Sequence, residues 1–150
     1  MAYVPIIVPS DLNTQMYPEV QAVITRGDDT IPTKAINSAI SEVQMYLNNK
    51  YDLVQLFGSP TGNTSATFSD EMLNDLVKAI AVWHLLRLAN INVDMSVALT
   101  WYEKAIQSLR AIQAGKAVPY GWPYKDTTGE TAPRGDSITS RSNPRRRTHY

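Results

Sequence analysis

The chain of 150 residues contains no cysteine. That removes disulfide bridges, a thiolate nucleophile and any sulfur-ligated metal site, and it fits a reducing compartment. Histidine is scarce: His84 lies in the apolar run AVWHLLRL and His149 is next to last. Neither belongs to an HExxH or other spaced ligand set, so His84 reads as a partly buried structural histidine and His149 as a solvated one. There is no long hydrophobic run. The most apolar stretch, Leu73–Ile91, is interrupted by Lys78, His84 and Arg87, which argues against a membrane span. The N-terminal MAYVPIIVPSD has no basic n-region and is not a secretory signal. Gly58-Ser59-Pro60-Thr61-Gly62 lacks the following Lys-Ser/Thr of a phosphate loop. The carboxylates Asp11, Asp28, Asp29, Asp70, Glu71 and Asp94 stand at expected helix starts, where capping and the helix dipole account for them. No catalytic residue, cofactor site or metal site emerges, and the expected protein is not an enzyme.

Net charge is zero, but the sum conceals an asymmetry. Residues 116–150 hold seven bases and three acids, and residues 1–115 hold seven bases and eleven acids. A tail of +4 on a body of −4 points to a segment with its own partner.

What is present is helical periodicity. Ile36, Ile40, Val43 and Leu47 recur at four, three and four residues, flanked by Ala35, Ala39 and Tyr46. That spacing predicts an amphipathic helix near 33–50, with alanine permitting close approach of a neighbour. Ser69 is the expected cap of a second helix, 69–89, whose apolar residues cover most of its circumference and place it centrally. Met95, Leu99, Tyr102, Ile106, Leu109 and Ile112 predict a third, 93–114, capped by Asn92 and stopped at Gly115 and Pro119. A shorter helical stretch opens at Pro18 and stops at Gly27. Ala2–Val8 reads as an edge strand or an extended run. Residues 53–68, which include GSPTGNTSAT, read as a long loop that reaches a neighbouring subunit or partner. The predicted fold is all-α: a small helical bundle with long antiparallel helices. Its core is expected at Ile36, Ile40, Val43, Leu47, Leu76, Ile80, Trp83, Leu99, Ile106 and Leu109.

After Val118 the composition turns to proline, glycine, serine and threonine, with too few aliphatics to offset its ordering entropy. The chain therefore divides into a helical domain, 1–116, and an extended C-terminal arm, 117–150. Tyr120, Trp122 and Tyr124 alternate with Gly121 and Pro123. They form either a strap that folds back over a helix face or anchors for a partner's groove, or both if the strap lies on a neighbouring subunit. The favoured expectation is an arm that packs away from its own bundle. Arg141, Arg145, Arg146 and Arg147 suit nucleic-acid phosphates or an acidic protein surface, or are simply solvated.

Ala35-Ile36, Glu42, Tyr46-Leu47 and Lys50-Tyr51, then the apolar helix Leu73–Leu88, then Tyr102, Ala105-Ile106, Leu109, Ile112, Gly115 and Lys116 form a pattern that resembles the head–tail adaptor proteins of tailed bacteriophages. The resemblance spans about Thr30–Pro119 and departs at Pro18 and in the Arg-rich tail. It implies a structural virion protein at the head–tail junction, made in the host cytoplasm, that assembles as a ring, usually twelve-fold, beneath the portal. The implied partners are further copies of the chain, the portal protein, a tail or stopper protein, and DNA passing through the lumen, with no membrane and no cofactor. The alternative is a nucleic-acid-binding helical module that uses the basic tail.

Overall fold

A computed structural model describes residues 2–88 and 95–125. The described residues form an all-helical bundle without a sheet. A 3-10 helix, Pro9–Thr14, is followed by α1 (Pro18–Thr25), α2 (Thr30–Leu47), α3 (Leu53–Phe57), α4 (Glu71–Leu88) and α5 (Ser96–Gln113). Each of the three long helices has 18 residues, a length of about 27 Å at 1.5 Å per residue.

Local chemistry sets the boundaries. Pro18 occupies the first turn of α1, where its missing N–H is not needed, and the helix stops at Arg26 and Gly27, both with positive φ (53° and 74°). Before α2, Asp28 accepts hydrogen bonds from the Thr30 hydroxyl (2.6 Å) and the Thr30 N–H (2.9 Å). Those two bonds, the hydroxyl's first, hold the Asp28 carboxyl below its ordinary range. Helix α2 starts three residues earlier than the periodicity predicts, because this turn winds directly into it. At α4 the expected cap, Ser69, is corrected to Asp70, whose Oδ1 accepts the Met72 N–H at 2.8 Å. The expected Asn92 cap and Asp94 lie outside the described residues.

Helix α4 is central and touches α1, α2, α5 and the 3-10 helix. It contributes Leu73, Leu76, Val77, Ile80, Ala81, Val82, Leu85 and Leu86 to the core. Facing it, α2 buries Ala35, Ile36, Ala39, Val43 and Leu47, while α5 buries Ala98, Ala105, Ile106, Leu109 and Ile112. The buried alanines are what let the helices approach closely. Gly115, after α5, sits against Lys50, after α2, so these two helices end together. Residues just before α4 meet the same end, so α4 runs antiparallel to both. Ile40 and Trp83 are partly buried at the edge of the core. Leu99 is corrected: it is 38% exposed, and Ala98 takes the buried place beside it.

The expected 53–68 loop is also corrected in part. Asp52 caps α3 through the N–H groups of Val54 and Gln55, and Leu56 and Phe57 are fully buried. Thr67 and Phe68 return their N–H groups to the Gln55 carbonyl, both at 3.0 Å. Between them a small turn closes at the Ser59–Thr64 bridge. The tip of this turn binds the chain's own N-terminus, with Asn63 Oδ1 accepting the Tyr3 N–H (2.8 Å) and Ser65 Oγ the Val4 N–H (3.0 Å). Ala2–Val8 bends at Ile6 and carries buried Ile7, but it forms no strand.

Candidate functional site

Helix α5 ends in a turn in which the Lys116 and Ala117 N–H groups both return to the Ala111 carbonyl. Gly115 there has φ 77°, a conformation that favours glycine. The chain then turns again at Gly121 (φ 76°) and lays residues 122–125 across the end of the bundle. Trp122 is 2% exposed. Its ring meets Tyr51 edge-on, with centroids 5.6 Å apart at 76°, and its indole N–H donates to Asp70 Oδ2. Tyr124 stacks on Tyr51 at 5.4 Å and 18°. Two backbone bonds complete the strap, from the Asp52 N–H to the Pro123 carbonyl (3.0 Å) and from the Lys125 N–H to the Lys50 carbonyl (2.9 Å). Burial, then the neighbouring Tyr124, pushes the Tyr51 hydroxyl above its ordinary pKa.

The aromatic cluster therefore divides. The expectation that it packs away from its own bundle is corrected for Trp122 and Tyr124, which are anchored on Tyr51 of the same chain. Tyr120 is different. It is 97% exposed, next to Val118 at 65%. Arg141, Arg145, Arg146 and Arg147 lie outside the described residues. Sequence reasoning missed Tyr51 and Asp70 as the receptors for the strap. Lys50-Tyr51 stood in the adaptor-like pattern, but nothing local marked Tyr51 as an aromatic partner.

A second constellation joins the three long helices. Glu42 on α2 lies 2.9 Å from His84 Nε2 on α4 through Oε2, and it accepts from the Tyr102 hydroxyl on α5 at 2.7 Å through Oε1. Trp83 stacks on Tyr102 at 5.5 Å, and His84 meets the same ring edge-on. Burial first, and the Glu42 hydrogen bond and charge after it, push the Tyr102 hydroxyl up to about 12. Each polar group here satisfies another, so the arrangement reads as a cross-brace. Beside it, Tyr46, Tyr102, Ile106, Lys104 and Arg110 line a surface groove of about 580 Å³.

Among the described residues no group of three or more His, Asp and Glu is placed to hold a metal ion. No described helix is long and apolar enough to cross a membrane. No protein-family model, curated protein or solved structure matches the chain. The resemblance to head–tail adaptors accordingly rests on the helix positions quoted above.

Proposed function

We propose that the protein is a structural connector that assembles as a ring beneath a phage portal, extends the DNA channel toward the tail and has no catalytic step. The observation that carries this reading is Tyr120, held in water at 97% exposure on a turn that Trp122 pins from behind. A large aromatic presented on an anchored support suits an interface anchor, because little conformational entropy is lost when it docks. Tyr17 (78%), Leu88, Val97 and Trp101 add exposed apolar area elsewhere on the bundle. Support also comes from the residues behind the resemblance. Glu42 and Tyr102 belong to the cross-brace and Lys50-Tyr51 to the strap site, so the matched positions hold this architecture together. A net-negative body suits a channel along which packaged DNA slides without adhering.

The test is to mix the chain with the portal protein of its own phage and to follow sedimentation and negative-stain images. The expected result is a ring of about twelve copies of the 16.7 kDa chain on one face of the portal. A chain that stays monomeric and unbound at tens of micromolar with portal in excess overturns the reading. If the isolated monomer instead binds duplex DNA with a steep salt dependence, the nucleic-acid module takes its place.

A further inference from the structure

The strap is fixed at its far end and hardly at all before it. The interactions that hold it (the indole bond to Asp70, the two contacts with Tyr51 and the two backbone bonds to residues 50 and 52) all involve residues 122–125. Upstream, Val118 and Tyr120 are exposed, and a Cβ added at Gly121 would meet no atom within 4 Å. Residues 118–121 thus connect two anchored pieces and make none of the contacts that hold the strap.

We infer that the strap is exchangeable: in the assembled state, residues 122–125 of one copy leave the slot formed by Tyr51, Asp70 and Lys50 and fill the same slot of the next copy. This rests on the ring reading above and names the contact that closes one subunit onto another. The occupant is a second copy, because the slot is already seen to fit this segment and every other copy carries an identical one. Each bond broken in leaving the home slot is remade in the neighbour's, so the contacts themselves favour neither arrangement. Concentration decides. A short tether gives its own slot an effective concentration on the order of millimolar, so in a micromolar solution each strap stays at home. Neighbours held side by side in a ring meet at comparable local concentration, and there exchange adds a subunit-to-subunit link without any new chemistry. Its head-to-tail sense is the kind that closes rings. The five steps from Ala117 to Trp122 reach at most about 18 Å, so the end of α5 in one copy must stand beside Tyr51 of the next.

The chain has no cysteine of its own, which permits a direct test. Residues 50 and 125 oppose each other across the backbone pairing, and such a pair, about 5.5 Å apart, falls within disulfide reach. Full-length chains carrying Lys50→Cys or Lys125→Cys, with different tags, are mixed, assembled with portal and oxidised. Exchange predicts covalent heterodimers in the assembled fraction and none in dilute monomer, where the Lys50→Cys/Lys125→Cys double variant bridges within one chain. Rings in which the double variant bridges only within single chains, and the mixture yields no heterodimer, overturn the exchange and leave the ring standing. Failure to form any ring, with bridges confined to single chains, overturns both. Should the 50/125 bridge not form in the dilute control, a bis-maleimide linker in place of the oxidant, on the same two cysteine variants, repeats the comparison without touching Tyr51 or Trp122.

Discussion

The Tyr102 hydroxyl on α5 donates to Glu42 of α2 at 2.7 Å, and the same carboxylate holds His84 of α4 at 2.9 Å. One acidic side chain therefore ties together three helices that also pack through buried apolar residues and through the rings of Trp83, His84 and Tyr102. Tyr102→Phe is expected to cost about 1.5 kcal/mol in urea unfolding, the low end for a hydrogen bond to a charged group, since Glu42 keeps its second partner. The pH dependence follows from the raised tyrosine, whose ordinary value is 10.0 and whose folded value is about 12. Protonated Tyr102 contributes its full stabilisation below pH 10, and that contribution disappears as pH rises through about 12. Between those limits the wild-type chain should lose stability faster than Tyr102→Phe. Parallel curves for the two proteins would show that the hydroxyl titrates alike in the folded and unfolded chain and is not raised by its surroundings.

Core substitutions on α5 separate two residues that periodicity treats alike. Leu109 is fully buried and Leu99 is 38% exposed. Leu109→Ala should cost about 2–5 kcal/mol by denaturant unfolding. Leu99→Ala should stay within about 0.5 kcal/mol, as an exposed site does. Equal costs would mean that α5 is rotated from the orientation described.

Two glycines with similar φ test space against backbone strain. At Gly27 (φ 74°) an added Cβ would meet nothing within 4 Å, whereas at Gly58 (φ 77°) it would stand 2.5 Å from the Thr64 carbonyl oxygen. Gly27→Ala should lose about 1–2 kcal/mol from the left-handed backbone alone. Gly58→Ala should lose more and should loosen the turn that receives Tyr3 and Val4, which amide hydrogen exchange at those two residues would register. Equal losses would remove the steric role assigned to Thr64.

Asp70 works in two directions, capping α4 with one oxygen and receiving Trp122 with the other. Asp70→Ala should cost about 1–2 kcal/mol from the cap, with a further loss from the strap. Trp122→Phe keeps an aromatic ring and removes the N–H. Combined in a double-mutant cycle, the pair should show a coupling of about 0.5–3 kcal/mol. A coupling of zero would separate the strap from the helix start.

The helical centre was legible because its signals are periodic. Ile36, Val43 and Leu47 recur at helical spacing, and the alanines beside them mark close approach. Leu99 was misplaced on the same ground: its spacing puts it in the stripe, yet it is 38% exposed and its neighbour Ala98 is the buried residue. Helix α3 has five residues, too few to show a period, and its available mark was Asp52 at the cap position. The slot for Trp122 left no local trace. Its hydrogen-bond acceptor lies 52 residues away, and that pairing exists only after three helices have docked.

The position of the strap in the chain also bears on synthesis. Tyr51 and Asp70 leave the ribosome well before Trp122, so α2, α3 and α4 emerge with the Tyr51 ring and one Asp70 oxygen facing water. Only when the last described residues appear does the end of the bundle close. Nascent chains arrested with Gly121 as the last residue outside the exit tunnel should therefore be cut by protease near residues 50–70, and chains with Lys125 outside should resist. The strap thus reports, on the surface of each molecule, that translation has passed residue 125.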